Sequence, residues 1–337
     1  MRLLIIGGTS FLGRAVAEEA LRRGDDVTTF NRGVSGTDVP GVHALRGDRA
    51  VEADLAALDL LEVDGVVDTC GFVPRVVGES VRRLRGRAGR YVFVSSMSAT
   101  SSWPERPTPD GAPGQPCPSD AGPDDGDYGV LKAGCERAVV EAFGEDAATV
   151  VRAGLILGPH ENVGRLPWWL RRIAKGDEVL APGDPDIAMQ LVDARDLAAF
   201  MLDMIATGTG GTFNATGPRG NATMGSWLGD CLAATGSDAA LTWVDDQLLL
   251  DEGVEPWTEL PLWMPPGQGA DHAWDADTAA AEAAGLRSRP VADTVRDTWE
   301  WLRVGAPSAI APQHADRPQH GIDPEKERAI LDRWHAR

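Results

Sequence analysis

The residues that decide the fold stand at the start of the chain, where Leu3-Leu4-Ile5-Ile6 runs into Gly7-Gly8-Thr9-Ser10-Phe11-Leu12-Gly13. Four aliphatic residues predict a buried strand, and Phe11–Arg23 has the apolar periodicity of a helix that ends at Gly24. A glycine-rich loop between a strand and a helix is typical of dinucleotide sites, because the helix N-terminus offers backbone N–H groups and a positive dipole end to a pyrophosphate. The residues expected to contact the cofactor are Gly7, Thr9, Ser10, Phe11, Leu12 and Gly13.

The loop departs from the GxxGxxG pattern at one position. The middle glycine of that pattern lets the backbone approach the phosphates, and here Ser10 replaces it. Its Cβ limits this approach, so a flavin-type site and a vestigial site stay open beside a nicotinamide site.

Short aliphatic runs alternate with helical segments through the first half of the chain. Buried strands separated by helices indicate a parallel sheet covered on both faces, which binds ligands at the carboxyl ends of its strands. We therefore predict a doubly wound α/β fold of the Rossmann type with a second, smaller C-terminal domain. After Leu3–Ile6, the predicted strands are Val27–Phe30, Val42–Leu45, Val63–Asp68, Tyr91–Ser95, Thr149–Leu157 and Thr212–Ala215, and the later helices of the sheet are Tyr128–Phe143 and Asp193–Ala206.

The composition of the sequence changes after Gly158-Pro159: tryptophan and proline become frequent, and the predicted elements become short. We predict a dinucleotide-binding domain of residues 1–158 plus about 186–216, and a substrate domain of about 159–185 plus 217–305. Residues 306–337 are predicted to be a linker followed by an amphipathic helix that begins at Asp323-Pro324. The Pro-, Gly- and Asp-rich stretch 100–127 predicts no regular element, and both a substrate flap and a surface excursion fit it.

Charge and cysteine content exclude several classes of partner. A formal charge of −19 repels nucleic acid and anionic lipid, so we expect neither nucleic acid nor a membrane as partner. The apolar runs are too short for a signal peptide or a membrane span, which predicts a cytoplasmic protein. The 4 cysteines are scattered without CxxC spacing, so we expect free thiols and no metal site.

The end of the second strand sets the choice between the two nicotinamide cofactors. A carboxylate there bonds the ribose 2′-hydroxyl of NAD, whereas an arginine accommodates the 2′-phosphate of NADP. The sequence has Asn31-Arg32-Gly33 and no acid at this point, and a guanidinium fits phosphate through its planar donors. We predict NADP(H), with NAD(H) left open because Arg32 also fits an ordinary solvated loop.

Tyr128 and Lys132 are the candidate catalytic pair. Their spacing places the phenol and the ammonium on one face of a helix, and the chain has only 2 tyrosines. A phenol, with a pKa of about 10, moves protons poorly near neutral pH, and a neighbouring cation favours the phenolate. Ser95 and Ser96 end the fifth strand, where one hydroxyl is expected to hold a substrate carbonyl, although serines at such ends also serve as caps.

Together these residues resemble the extended short-chain dehydrogenase/reductase family, also called the NAD-dependent epimerase/dehydratase family, and within it atypical bacterial members with a GGTxFLG loop. The resemblance covers roughly residues 1–305 and rests further on Gly47-Asp48-Arg49, Val151-Arg152-Ala153-Gly154 and Val192-Asp193-Ala194-Arg195-Asp196. Ser10, Ala153 and Thr100 depart from the family pattern, which places the chain away from the sugar-nucleotide enzymes.

The resemblance also implies roles for single residues. Asp48 would contact the adenine edge, Gly71 would line the cofactor groove, Lys132 would hold the nicotinamide ribose and Tyr128 would transfer the proton. Ser96 would be the third catalytic residue, with Ser95 as its substitute. A homodimer is a common assembly in the family.

We predict reversible hydride transfer between NADP(H) and a ketone or secondary alcohol of a small metabolite. A nucleotide-sugar-type epimerase with tightly bound NAD is the alternative, against which the Arg32 pattern argues. A dinucleotide-binding sensor or scaffold without turnover also stays open. The tryptophan-rich small domain favours a ring-bearing or apolar ligand, with pocket candidates His160, Glu161, Trp168, Trp169 and Trp263.

Overall fold

The computed structural model describes residues 1–305 and 320–337. Its central sheet has seven strands: β1 (Arg2–Ile6), β2 (Asp26–Asn31), β3 (His43–Arg46), β4 (Val63–Asp68), β5 (Ala88–Ser96), β6 (Ala148–Ala153) and β11 (Gly211–Ala215). Shorter strands lie outside it: β7 (Leu155–Leu157), β8 (Glu178–Pro182), β9 (Ala188–Met189), β10 (Leu191–Asp193), β12 (Ala222–Thr223), β13 (Ala240–Val244), β14 (Pro256–Trp257) and β15 (Leu260–Pro261).

The central sheet has the strand order β11-β6-β5-β4-β1-β2-β3, and every neighbouring pair in it is parallel. All carboxyl ends of these strands therefore lie at one edge of the sheet. This arrangement confirms the predicted doubly wound parallel sheet.

Helices cover both faces of the sheet. One face carries α1 and α6, which pack on each other and bury Val16, Ala20 and Leu197. The other carries α3 and α4, which also pack together and bury Val77 and Val139. Each fully buried aliphatic side chain contributes about 1.5–3 kcal/mol to this packing. The helices are α1 (Phe11–Arg22), α2 (Glu52–Leu55), α3 (Pro74–Leu84), α4 (Tyr128–Phe143), α5 (Arg165–Ala174), α6 (Ala194–Thr207), α7 (Met224–Thr235), α8 (Asp246–Asp251), α9 (Ala279–Ala283), α10 (Val291–Arg303) and α11 (Pro324–His335). Within the described residues, no helix is both long and apolar enough to span a membrane.

One predicted strand is two strands in the structure. Residues Thr149–Leu157 form β6 and β7, which are separated at Gly154. A side chain at Gly154 would collide with Thr216, so glycine is needed where the chain leaves the central sheet. β7 then pairs in parallel with β10. The prediction of one continuous strand was wrong because the contact that breaks it involves a residue distant in sequence.

Residues 100–127 contain no helix or extended strand, as their composition predicts. Hydrogen bonds nevertheless tie this segment to the second half of the chain. Thr108 N donates to Asp275 O at 2.9 Å, and His272 N donates to Pro104 O at 3.1 Å. The segment therefore joins β5 to α4 by way of the small-domain side of the molecule.

A second hydrophobic core lies beside the sheet and is built from residues that follow β6. Trp169 and Trp227 are fully buried in it and meet edge to face, with 6.3 Å between ring centres. Trp169 Nε1 donates to Pro261 O at 2.9 Å, which satisfies the one polar atom of that side chain. The exact bounds of the two domains stay a prediction.

The helix α11 forms where the sequence predicts an amphipathic helix. Asp323 caps it by accepting hydrogen bonds from the backbone N–H groups of Glu325 and Lys326. Ile330 and Leu331 are buried in the second core, and Trp334 packs against the same core. The predicted linker, residues 306–319, lies outside the described residues.

A buried carboxylate fixes α11 to the second core. Glu327 is 5% exposed and accepts a hydrogen bond from Arg172 Nε at 2.8 Å and another from Leu180 N at 3.1 Å. A buried charge is tolerated only with such partners, so the helix can dock in one position.

We expect Glu327→Ala to lower the free energy of unfolding by about 3 kcal/mol, because Arg172 loses its counter-ion in a largely buried place. Glu325→Ala, on the exposed side of the same helix, should change it by less than about 0.5 kcal/mol. Urea titration measures both values. Equal losses in the two variants would contradict the anchoring role of Glu327.

Candidate active site

A cleft of about 1390 Å³ runs along the carboxyl ends of the central strands. Its lining includes the loop Gly7–Gly13, residues that follow β2, β3 and β4, and the pair Tyr128 and Lys132. Pockets for one small ligand measure about 300–1,000 Å³. The cleft therefore has room for a dinucleotide together with a second ligand.

The loop after β1 is packed so tightly that two of its positions require glycine. Gly7 has a φ of 112°, and a Cβ there would come within 2.5 Å of Thr69 Oγ1. A Cβ at Gly13 would come within 2.8 Å of the backbone N of Gly8, so the start of α1 lies directly on the loop. The Ser10 side chain makes no capping bond to α1, which leaves its first N–H groups to a ligand. These features fit a pyrophosphate held by the backbone.

The end of β2 is held in shape by Asn31. Its Nδ2 donates to Gly7 O at 3.2 Å, and its Oδ1 accepts from Gly33 N at 2.8 Å. Arg32 is 54% exposed, and its Nη1 lies 3.7 Å from Asp48 Oδ2. Asn31 thus supports the loop, while Arg32 and Asp48 offer the polar groups at this end of the cleft.

Lys132 is buried and held by carbonyl oxygens. It is 3% exposed, and its Nζ donates to Gly71 O at 2.8 Å and to Val94 O at 2.6 Å. The same atom lies 5.3 Å from the ring centre of Phe72 and 4.5 Å from that of Phe93. A Cβ on Gly71 would come within 2.6 Å of the Phe93 ring, so glycine is what allows this close arrangement.

Tyr128 lies one helical turn before Lys132 and is far more open. It is 52% exposed, and its ring centre is 6.4 Å from that of Phe72. Both Tyr128 and Lys132 line the cleft, so the structure brings the predicted pair together with the glycine loop.

The two serines that end β5 differ in their surroundings. Ser95 is 3% exposed and donates to Glu136 Oε1 at 2.5 Å, and Glu136 in turn pairs with the buried Arg152 at 2.7 Å. Ser96 is partly exposed, and its Oγ lies 2.8 Å from that of Ser98. The Ser95 hydroxyl is therefore engaged inside the protein, whereas the Ser96 hydroxyl is the more accessible of the two.

The five residues of the second half of the chain that the sequence offered for the substrate pocket do not line the cleft. Trp169 and Trp263 are buried in the second core, and Trp168 lines a separate cavity. His160 packs on Trp301, and Glu161 accepts the backbone N–H of Arg165 at the start of α5. None of these five side chains lines the cleft: Trp168 and Trp169 lie on α5, and Trp263 follows β15.

Other aromatic residues line the cleft, and none of them was predicted from the sequence as a site residue. They share no spacing along the chain, and the abundance of tryptophan after Gly158 was the one signal for those in the second half. A histidine near the C-terminus joins them. The residues are Phe72, Trp103, Trp257, Trp274 and His320.

These groups favour proton transfer at a phenol over other chemistry. Burial raises the pKa of the Cys70 thiol to about 11, so this cleft residue is a neutral thiol and a poor nucleophile. Within residues 1–305 and 320–337, no group of three or more His, Cys, Asp or Glu side chains is placed to hold a metal ion. Tyr128 and Ser96, which bear accessible hydroxyls, line the cleft together with Lys132.

The sequence around this site matches the model of a known protein family. Residues 73–216, which include Tyr128 and Lys132, match the model of the NAD dependent epimerase/dehydratase family. The matched stretch makes up less than half of the chain. The match confirms the family that the motifs predict, and with it an enzyme of the short-chain dehydrogenase/reductase type that depends on a nicotinamide dinucleotide.

Several solved structures, among them epimerases, share the fold of this chain along most of its length. The UDP-glucose 4-epimerase of Thermotoga maritima is 18% identical, covers 90% of this chain and 99% of its own, and has a TM-score of 0.68. A putative epimerase from Burkholderia cenocepacia is 18% identical over 90% and 98% of the two chains, with a TM-score of 0.69. The Bordetella bronchiseptica enzyme WbmG, determined with NAD and UDP, is 17% identical over 90% and 95%, with a TM-score of 0.68. A search of curated proteins found no match.

We expect Gly13→Ala to weaken dinucleotide binding by about tenfold or more, because the added methyl group pushes α1 away from the loop. Gly229→Ala is the matched control, since it also lies in a helix but has open space around its Cα. Calorimetric titration with NADH and NADPH measures both. Unchanged affinity in Gly13→Ala would place the dinucleotide away from this loop.

Proposed function

We propose that the protein epimerises a secondary alcohol with the help of a retained nicotinamide dinucleotide. The observation that carries this proposal is the pair Tyr128 and Lys132, which lines the same cleft as Ser96 and the glycine loop. The backbone around Gly7 and Gly13 would hold the pyrophosphate, and Asp48 and Gly71 would line the adenosine side. A bound dinucleotide would supply reversible hydride transfer at the carbinol carbon, and return of the hydride to the opposite face of the ketone would invert that carbon without net oxidation.

The residues of this chain handle the proton. Tyr128 Oη takes the hydroxyl proton of the substrate as its C–H bond breaks, and gives it back when that bond forms again. Lys132 supplies a positive charge fixed by two carbonyls, which stabilises negative charge on the phenol oxygen. Ser96 orients the substrate oxygen, and Ser95 with Glu136 positions the end of β5.

The comparisons favour epimerisation over a net reduction. The family model describes epimerases and dehydratases, and the similar structures include UDP-glucose 4-epimerases. Several of these were determined with NAD. A cytoplasmic location, a homodimer and the domain bounds predicted from sequence are part of the same proposal.

A second candidate is an NADP(H)-dependent reductase of a ketone. The observation that favours it is the exposed Arg32 guanidinium after β2, where no carboxylate replaces Asn31. Asp48 lies 3.7 Å from this guanidinium, and a 2′-phosphate would have to replace Asp48 as the partner of Arg32. The two candidates share Tyr128 and differ in cofactor choice and retention.

The identity and amount of dinucleotide that stays bound through purification distinguish the epimerase from the reductase. The epimerase predicts that denaturing the purified protein releases NAD(H) at about one per chain. The reductase predicts little retained cofactor and NADPH binding about tenfold tighter than NADH, a preference lost in Arg32→Ala. Arg303→Ala, at the exposed end of α10, is the control. If no dinucleotide binds, both candidates are wrong.

We expect Tyr128→Phe to reduce turnover by about 10²–10⁴-fold with dinucleotide affinity unchanged, because the proton carrier is lost while the ring remains. Ser96→Ala should reduce turnover as well. Ser95→Ala should act mainly on stability, because its hydroxyl bonds the buried Glu136. Rates at saturating substrate and thermal unfolding measure the three variants. Full activity in Tyr128→Phe would mean that another group carries the proton. If the protein is a sensor without turnover, the substitution should leave its dinucleotide binding unchanged and there would be no turnover to lose.

A further inference from the structure

The small-domain side of the cleft is a wall of tryptophans. Trp257 and Trp274 line it with 6.3 Å between their ring centres and 33° between their planes. Trp103 reaches the same place from the segment after β5, and its Nε1 donates to Ala273 O at 3.2 Å. The segment after β5 and the later segment that carries Trp257 and Trp274 thus deliver indole rings to one surface, which we call the tryptophan wall.

The strand side of the cleft presents two more exposed rings. Phe72 is 45% exposed and Tyr128 is 52% exposed, and both line the cleft. Large side chains are normally buried, and a concentrated exposed set marks a binding surface. The reacting hydroxyl of Tyr128 therefore lies in a cleft whose walls are aromatic on two sides.

Positive charge is scarce on the small-domain side. Among the described residues there, the permanent cation is Arg165, whose Nε lies 3.3 Å from Glu161 Oε1 and whose Nη2 donates to Ile156 O at 3.4 Å. Burial and the nearby Arg165 lower the pKa of His320, so its imidazole is neutral near pH 7. A second pyrophosphate would carry two negative charges, and one arginine that already has an anionic partner compensates them poorly. Unlike the first N–H groups of α1, those of Arg165 and Leu166 at the start of α5 already donate to Glu161.

We propose that the alcohol or ketone handled at Tyr128 belongs to an uncharged, ring-bearing molecule that stacks on the tryptophan wall, and not to a nucleoside-diphosphate sugar. Flat apolar rings gain from burial and from offset or tilted contact with indoles. This inference rests on the proposed function of the same site. It names the class of substrate that the function leaves open.

The test uses 2-tetralone, a flat bicyclic ketone, titrated by calorimetry into the full-length protein saturated with oxidised dinucleotide. We expect saturable binding that Trp274→Ala weakens about tenfold. Trp334→Ala is the matched control, because Trp334 lies on α11 and does not line the cleft. Phe72→Ala, an exposed position, gives a second variant that does not disturb the core. UDP-glucose at the same concentration should neither bind nor displace 2-tetralone.

Several outcomes would overturn the proposal. It is wrong if 2-tetralone does not bind, if Trp274→Ala and Phe72→Ala bind it as well as the unchanged protein, or if UDP-glucose displaces it. Turnover of UDP-glucose would reject this substrate class and leave hydride transfer at Tyr128 intact. Failure of the dinucleotide to bind would instead reject the proposed function, and titration of 2-tetralone into the free protein would still decide the role of the tryptophan wall.

Discussion

One buried ammonium determines how the cleft is put together. Lys132 on α4 donates to the carbonyl of Gly71, which follows β4, and to the carbonyl of Val94 in β5. A buried cation without these acceptors would cost several kcal/mol, so α4 can occupy one position relative to the two strands. Tyr128, one turn earlier on the same helix, is placed by the same bonds. The exposed position of the Tyr128 phenol therefore depends on the bonds that hold the buried Lys132 ammonium.

The polar face of α4 continues beyond this pair. Tyr128, Lys132 and Glu136 follow one another at intervals of four residues and lie on one side of the helix. Glu136 pairs with Arg152, which also donates to Ala112 O at 2.5 Å. The segment that carries Trp103 is thus attached to the helix that carries Tyr128. Because networks of this kind have one satisfied geometry, they hold aromatic and hydroxyl groups in a defined arrangement.

The sequence predicted the sheet half of the molecule well because its signals are local. A strand, a glycine loop and a helix within the first 22 residues suffice to predict β1 and α1, and the interval between Tyr128 and Lys132 is contained in one helix. The small-domain wall of the cleft could not be predicted in this way. Trp257 and Trp274 line it while packing against the second core, and Trp169, which has the same side chain, is buried inside that core.

The same limit explains the errors in detail. The break of the strand at Gly154 depends on Thr216, and the inner location of Ser95 depends on Glu136. Neither partner is marked as such by its neighbours in sequence. A pattern with a period of two or 3.6 residues reports which face of an element is buried, and it does not report what lies on the other side.

The docking of α11 has a consequence for how the chain is made. Glu327 and Arg172 are 155 residues apart, so this contact of the second core forms only after residue 327 has left the ribosome. The strands β1 to β6 emerge much earlier and begin to pair, whereas contacts of such long sequence separation form slowly. During synthesis the chain therefore exposes an unfinished apolar surface beside a growing sheet. Aggregation and chaperone binding are expected to concentrate in that interval.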